Sequence, residues 1–230
     1  MPRFQRLSPL LITVATALTL IGCGGGNDTP TSSELSKELC FDNSVYALGA
    51  SYKLNFKEGA GNLVVSGSVL STNANFNGAS NLIEFLTRTE TTVTSSVTQY
   101  LKPLAPGIAA LYGTKAALGA VSFITTTYGS PYEDRRAELA VGQTRTFVGQ
   151  GIRDDMFRPG PVTFTQENQI KFVGVERITM PAGTFTACRY EVNGTTEWWH
   201  RSLVIRRDFN NGEPRVLQSG ELNGTPLKNQ

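Results

Sequence analysis

The chain has 230 residues, enough to bury one good hydrophobic core, so the length predicts a single folded domain. Its formal net charge is only +2, and 40% of its residues are hydrophobic. This charge balance gives no electrostatic footprint for nucleic acid, so we expect no nucleic-acid partner.

The N-terminus has the layout of a secretory signal. Arg3 and Arg6 precede an apolar run from Leu10 to Ile21, and this run is shorter than the roughly 20 residues that span a bilayer. The run ends in the sequence Leu-Ile-Gly-Cys, with the cysteine at position 23. These four residues resemble the bacterial lipobox, whose cysteine is lipidated and becomes the first residue of the mature chain. We therefore predict a lipoprotein signal peptide over residues 1–22.

The lipobox resemblance implies a membrane anchor at Cys23. It implies a diacylglyceryl thioether and an N-linked acyl chain such as palmitate, and more than one chain is what stable anchoring requires. Gly24 stands where aspartate would favour retention at the inner membrane. We therefore expect a protein of the bacterial cell envelope, held at the outer membrane. Loss of Arg3 and Arg6 with the signal would leave equal numbers of acidic and basic residues in the mature chain.

A flexible tether is predicted between the anchor and the folded domain. Residues 24–39 are rich in Gly, Ser and Thr and have no apolar period. Sixteen such residues have a root-mean-square reach of roughly 20–24 Å. The expected organisation is a lipidated cysteine with a tether over residues 23–39, followed by a single β-rich domain over residues 40–230.

From Ser51 onward the apolar residues alternate with polar ones. Tyr52, Leu54 and Phe56 form one face of a half-buried strand, and similar stretches recur to the C-terminus. Asn-Gly pairs, the strongest short signal for a hairpin turn, occur at Asn77, Asn193, Asn211 and Asn223. These patterns predict a mainly β, antiparallel domain of about ten short strands, arranged as a sandwich or a half-open barrel.

One stretch departs from the β pattern. Leu101–Ala120 contains two prolines, clusters of small apolar residues and only two charges. We expect a loop or a helix that caps one end of the sheet, and Ile108–Leu118 is the candidate for a short helix. Two alternatives are an apolar lid over a cavity and a patch that binds a partner.

The cysteine count predicts a disulfide. Lipidation would consume Cys23 and leave Cys40 and Cys188 as an even pair in an oxidising compartment. The alternatives are two separately buried thiols or a metal pair, and the metal pair lacks further ligands. A Cys40–Cys188 disulfide would attach the start of the domain to a strand near its end.

No motif identifies a reaction, so we expect no enzyme, no catalytic residue, no metal and no cofactor. His200 is the only histidine, and no G-x-S-x-G sequence supplies a nucleophile for it. One histidine and two paired cysteines cannot complete a zinc site. The acidic pairs Glu133-Asp134 and Asp154-Asp155 do not have the spacing of a calcium loop.

Trp198 and Trp199 are the candidate binding residues. Neighbouring residues of a strand point to opposite faces, so one indole can enter the core while the other faces outward or lines a groove. The alternative to a ligand or partner site is a purely structural role in the core and on the sheet. Arg201, Arg206 and Arg207 lie nearby and could hold an anionic group, although a solvated strand edge is the commoner explanation.

A resemblance to uncharacterised bacterial envelope lipoproteins accompanies these patterns. Val175–Val192 and the aromatic pair that follows carry this resemblance. The envelope lipoproteins share a V-P-A-G-T-F/Y turn between two strands of this region. Residues Met180–Phe185 read M-P-A-G-T-F here, and Cys40-Phe41 resembles the N-terminal element of such proteins. Residues 200–202 depart from the W-(Y/F)-x-P-G-x-G turn of those relatives. The resemblance implies a fold and no catalytic residues.

The sequence therefore favours a non-enzymatic, lipid-anchored protein that binds an envelope partner. The alternative is a carrier of an apolar ligand or lipid in a half-open β-barrel, and a hydrolase ranks third. An apolar cavity larger than about 300 Å³ would favour the carrier. A packed core with an exposed tryptophan would favour the partner.

Overall fold

The fold is an antiparallel meander in which each strand pairs with its neighbours in the chain. The computed structural model describes residues 36–228. Its strands are β1 (Ser51–Glu58), β2 (Gly61–Phe76), β3 (Ala79–Glu90), β4 (Thr94–Ala105), β5 (Ile108–Leu118), β6 (Val121–Asp134), β7 (Thr144–Asp155), β8 (Val162–Met180), β9 (Gly183–Val192), β10 (Thr195–His200), β11 (Leu203–Asp208), β12 (Arg215–Leu222) and β13 (Thr225–Pro226). Three short 3-10 helices are η1 (Lys37–Cys40), η2 (Asn43–Tyr46) and η3 (Arg136–Glu138).

The meander closes into a barrel of twelve strands, because β1 pairs with β12 over the length of β1, from Tyr52 opposite Leu222 to Glu58 opposite Arg215. The two-residue β13 pairs with β12 alone. The prediction of a mainly β antiparallel domain is confirmed. The prediction of a sandwich or half-open barrel of about ten strands is wrong, because closure depends on a pairing between distant segments that local alternation does not report.

The predicted helix over Ile108–Leu118 is also wrong, since this segment is strand β5. It forms a hairpin with β4 through a turn at Pro106-Gly107, in which Gly107 has a φ of +73°. Cross-strand pairing from Ser95 opposite Leu118 to Ala105 opposite Ile108 overrides the helix propensity of its alanines. The stretch is thus part of the barrel wall and neither a cap nor a lid.

Three of the four Asn-Gly pairs form tight turns between neighbouring strands. Asn77, Asn193 and Asn223 have φ values of 47°, 48° and 54°, and the glycine after each is also positive. This is the conformation that a type I′ hairpin turn requires. The fourth pair, Asn211-Gly212, lies within the longer connection between β11 and β12.

A disulfide joins η1 to β9, as the cysteine count predicts. Cys40 and Cys188 are completely buried, with their Cα atoms 5.7 Å apart. The backbone N–H of Ser202 donates to the carbonyl of Cys40 at 2.7 Å, so the N-terminal segment also contacts the turn between β10 and β11. The disulfide therefore fixes the start of the domain against the barrel.

Residues 36–228 contain no helix that is long and apolar enough to cross a membrane. The predicted signal peptide over residues 1–22, the lipidation of Cys23 and the tether up to residue 35 lie outside the described residues.

Replacing both Cys40 and Cys188 with alanine is expected to lower the free energy of unfolding by about 4–5 kcal/mol. The disulfide closes a loop between residues 148 positions apart, and opening it raises the chain entropy of the unfolded state. Urea unfolding followed by tryptophan fluorescence measures the change in the chain from residue 24 onward, and the same chain with both cysteines is the control. Equal unfolding midpoints for the double variant and the control would contradict this role.

Candidate functional site

The barrel encloses a cavity of about 470 Å³. Helix η2, the turn between β10 and β11, and nine of the strands contribute side chains to its lining. They are Val45, Tyr46, Tyr52, Leu54, Phe56, Val65, Phe85, Thr87, Thr89, Gln99, Leu101, Ala109, Leu111, Tyr132, Asp134, Trp199, Ser202, Leu203, Val204, Arg207 and Arg215. This volume falls within the range of about 300–1,000 Å³ that is typical of small-molecule sites.

Aliphatic and aromatic side chains form most of the cavity wall. The ring of Phe85 packs against Tyr46 and Tyr52, with centroid distances of 5.7 and 6.1 Å. Tyr52 lies directly over Gly67, its partner on β2, where any Cβ atom would collide with the tyrosine ring. Because Gly67 has no side chain, the Tyr52 ring can lie against β2, where it forms part of the cavity wall.

The cavity is long because its lining extends along the strands. Tyr52 lies at the start of β1 and pairs with Leu222, whereas Arg215 pairs with Glu58 at the end of β1. The six residue steps from Tyr52 to Glu58 correspond to roughly 20 Å along a strand. Helix η2 lies at the Tyr52 end, and the two arginines of the lining lie toward the opposite end.

A buried ion network lies beside the cavity. Arg136 of η3 donates to Asp134 through Nε, at 2.9 and 3.0 Å, and its Nη1 donates to Glu197 at 3.0 Å. Glu197 also accepts from Nη2 of Arg207 at 2.6 Å and from Nε1 of Trp199 at 2.9 Å. The buried carboxylate of Glu197 therefore accepts hydrogen bonds from two guanidinium groups and an indole.

This network positions Trp199 in the cavity wall. The guanidinium carbon of Arg136 lies 4.3 Å from the Trp199 ring centroid, a favourable cation–π geometry. Burial alone would lower the pKa of Arg136, but the charges of Asp134 and Glu197 more than offset it, and the pKa is raised. Arg136 is therefore a permanent cation that orients both the carboxylates and the indole.

Trp198 belongs to a different environment. Only 7% of this residue is exposed, and its Nε1 donates to Glu176 at 2.6 Å. The guanidinium carbon of Arg206 lies 4.8 Å from its ring centroid. The two neighbouring tryptophans thus diverge, and only Trp199 lines the cavity.

The structure separates the three arginines that the sequence groups together. Arg201 lies in the turn between β10 and β11 and pairs with Asp42 at 2.9 Å. Arg206 pairs with Asp208 at 2.8 Å. Of the three, only Arg207 lines the cavity, and there it joins Arg215, which the sequence analysis does not single out.

His200 is a buried structural residue. It is 2% exposed, its Nδ1 lies 2.9 Å from the carbonyl oxygen of Thr186, and its ring packs edge-on against Phe185. Burial lowers the pKa of His200, and the positive charge of Arg201 adds to that effect. Across residues 36–228, no cluster of three or more His, Cys, Asp or Glu side chains is arranged to hold a metal ion.

Comparisons with known proteins add little to this description. No family model matches the chain, and no curated protein matches it. A solved structure of a "putative lipoprotein" from Parabacteroides distasonis matches over 80% of this chain and 99% of that one, with 14% sequence identity and a TM-score of 0.36. At this level of similarity we draw neither fold nor function from it.

Arg136→Met is expected to lower the free energy of unfolding by about 3 kcal/mol, because it removes one of the two counter-ions of buried Glu197 and the counter-ion of half-buried Asp134. Arg135→Met is the matched control. Arg135 pairs with Glu133 and Glu138 at the surface, where ion pairs contribute little, so its loss should leave stability nearly unchanged. Urea unfolding of both variants measures the difference, and equal losses would show that the network does not stabilise the fold.

His200 is expected to make the protein less stable as the pH falls below 6.5, its ordinary pKa. Its pKa is lowered in the folded state, so the unfolded chain takes up the proton first and gains up to about 1.4 kcal/mol per pH unit. The free energy of unfolding is measured for the wild type and for His200→Gln between pH 7.5 and 5.5. The difference between the two curves gives the contribution of His200, because the carboxylates contribute equally to both. Parallel pH curves would rule the effect out.

Proposed function

We propose that this protein is a lipid-anchored envelope protein that carries an apolar ligand inside its barrel. The cavity carries this proposal, because its volume of about 470 Å³ exceeds the roughly 300 Å³ at which small-molecule sites begin. Its wall combines a large apolar surface with a few polar groups, which is the usual composition of a small-molecule site. Trp199 lines the cavity and supplies an aromatic contact for the ligand.

The anchor is part of the same proposal. Lipidation of Cys23 would hold the barrel at the membrane, and η1 begins at Lys37. The 13 residues between them would have a root-mean-square reach of roughly 18–22 Å if flexible. A carrier held at this distance could exchange ligand with the envelope while staying attached to it.

Binding of an envelope partner is a second candidate function, and exposed apolar side chains favour it. Leu118 and Val121 flank the turn between β5 and β6, and Met156 and Phe157 lie in the connection between β7 and β8. Phe157 is 76% exposed. Both connections lie at the same end of the meander, so the partner would bind loop tips and not the tryptophan pair.

The carrier proposal predicts saturable binding of the neutral fluorophore N-phenyl-1-naphthylamine by the chain from residue 24 onward. Ala109→Phe should weaken this binding by about tenfold or more, because its ring would fill part of the cavity. Ala140→Phe makes the same change at an exposed position and should leave the affinity unchanged. Fluorescence titration measures the affinity for the dye in the wild type and in both variants.

Absence of saturable dye binding by the wild type would contradict the carrier. An equal loss in both phenylalanine variants would show that the dye binds outside the cavity. Urea unfolding of Ala109→Phe verifies that the variant is folded.

A further inference from the structure

We propose that the ligand is a single-chain amphiphile whose anionic head group binds Arg207 and Arg215 while its tail occupies the apolar part of the cavity. This inference rests on the proposed carrier function and names the chemical class of its ligand. The head-group chemistry is that of a carboxylate or a phosphate monoester, both of which match the planar donors of arginine.

The two arginines are neighbours across a strand pair. Arg207 on β11 pairs directly with Arg215 on β12, and both side chains line the cavity. Like charges directly opposite each other in a sheet are unfavourable. The β11–β12 pairing also covers only two residue pairs, so little backbone pairing offsets this repulsion.

Each of these arginines has one carboxylate partner on the protein, which engages one nitrogen of its guanidinium group. Glu197 is shared between Arg207 and Arg136, and it also accepts from Trp199. Glu58 accepts from Nε of Arg215 at 2.7 Å. Nε of Arg207 is buried and has no hydrogen-bond partner among the described residues. Glu197 and Glu58 each engage one guanidinium nitrogen, Nη2 of Arg207 and Nε of Arg215. An anion between the two groups would accept from their other nitrogens that face the cavity.

The charged residues of the lining are few. Arg207 and Arg215 carry positive charge and Asp134 carries negative charge, whereas most of the remaining lining side chains are aliphatic or aromatic. Thr87, Thr89 and Gln99 are neutral polar lining residues on β3 and β4. Such a wall fits a molecule with one anionic end and one apolar chain better than a uniformly apolar one.

The two arginine side chains are only partly buried. The side chain of Arg207 is 33% exposed and that of Arg215 is 26% exposed. A head group bound there would therefore have its charge only partly desolvated. The tail would then extend toward η2 over the roughly 20 Å given by β1.

The test is competition against N-phenyl-1-naphthylamine on the chain from residue 24 onward, which retains every described residue. Dodecanoate, dodecyl phosphate and dodecan-1-ol share one chain length and differ in the head group. At least one of the two anions should displace the dye about tenfold more strongly than the alcohol, because hydrogen bonds to charged groups are the stronger ones. The better anion identifies the head group as carboxylate or phosphate.

Arg215→Met should weaken the apparent affinity for the anion by about tenfold and leave the apparent affinity for the alcohol unchanged. Arg206→Met is the matched control, since Arg206 neighbours Arg207 but pairs with Asp208 outside the cavity lining. It should change neither affinity. Urea unfolding of both variants shows that they remain folded.

Equal displacement by the anions and the alcohol in the wild type would overturn the head-group assignment and leave the carrier function standing. Equal losses for the anion in both arginine variants would also overturn it. Failure of the wild type to bind the dye at all would instead overturn the carrier function itself.

Discussion

Strand β1 pairs with β12 over almost its whole length, from Tyr52 to Glu58. This pairing closes twelve strands into a barrel, and barrel diameter grows with the number of strands. Eight strands leave an interior just wide enough for side chains to fill, so twelve leave more space than a packed core occupies. The cavity is therefore a consequence of strand number and closure, and its chemistry is set by the residues that face it.

Closure of the barrel also encloses charged side chains, and these form a buried network of ion pairs beside the cavity. Short strands β10 and β11 bring Glu197 and Arg207 to one face, and η3 places Arg136 against them. A charge enclosed by a barrel is costly unless it is paired and hydrogen-bonded, and each charge in this group has an opposite partner. The network orients Trp199 and leaves Arg207 and Arg215 in the cavity lining.

Local sequence signals predicted the features that local chemistry controls. Alternation in Tyr52-Leu54-Phe56 indicated the β class, and Asn-Gly marked three turns correctly because those turns require positive φ. The cysteine count predicted the pair at positions 40 and 188. Closure could not be predicted, because it depends on pairing between segments more than 150 residues apart. Ile108–Leu118 was predicted as a helix within a stretch of small apolar residues, and pairing with both β4 and β6 makes it a strand.

The candidate site was predictable only in part. Trp199 stood out by residue type, and strand alternation predicted that the two indoles would enter different environments, but nothing in the sequence showed which of them would line the cavity. Arg215 carried no signal of its own, since its position in the lining follows from its register opposite Arg207. Arg136 and Glu197 likewise became recognisable only once η3 and β10 were brought together.

Whether the barrel carries a ligand can be seen by native mass spectrometry of the chain from residue 24 onward, purified from a bacterial periplasm without detergent. A ligand-carrying barrel should show a bound mass of a few hundred daltons that remains in the native spectrum and is lost on denaturation. Ala109→Phe should carry less of this mass than Ala140→Phe. A bare protein mass, together with an equal absence of bound material in both variants, would contradict a ligand-carrying barrel.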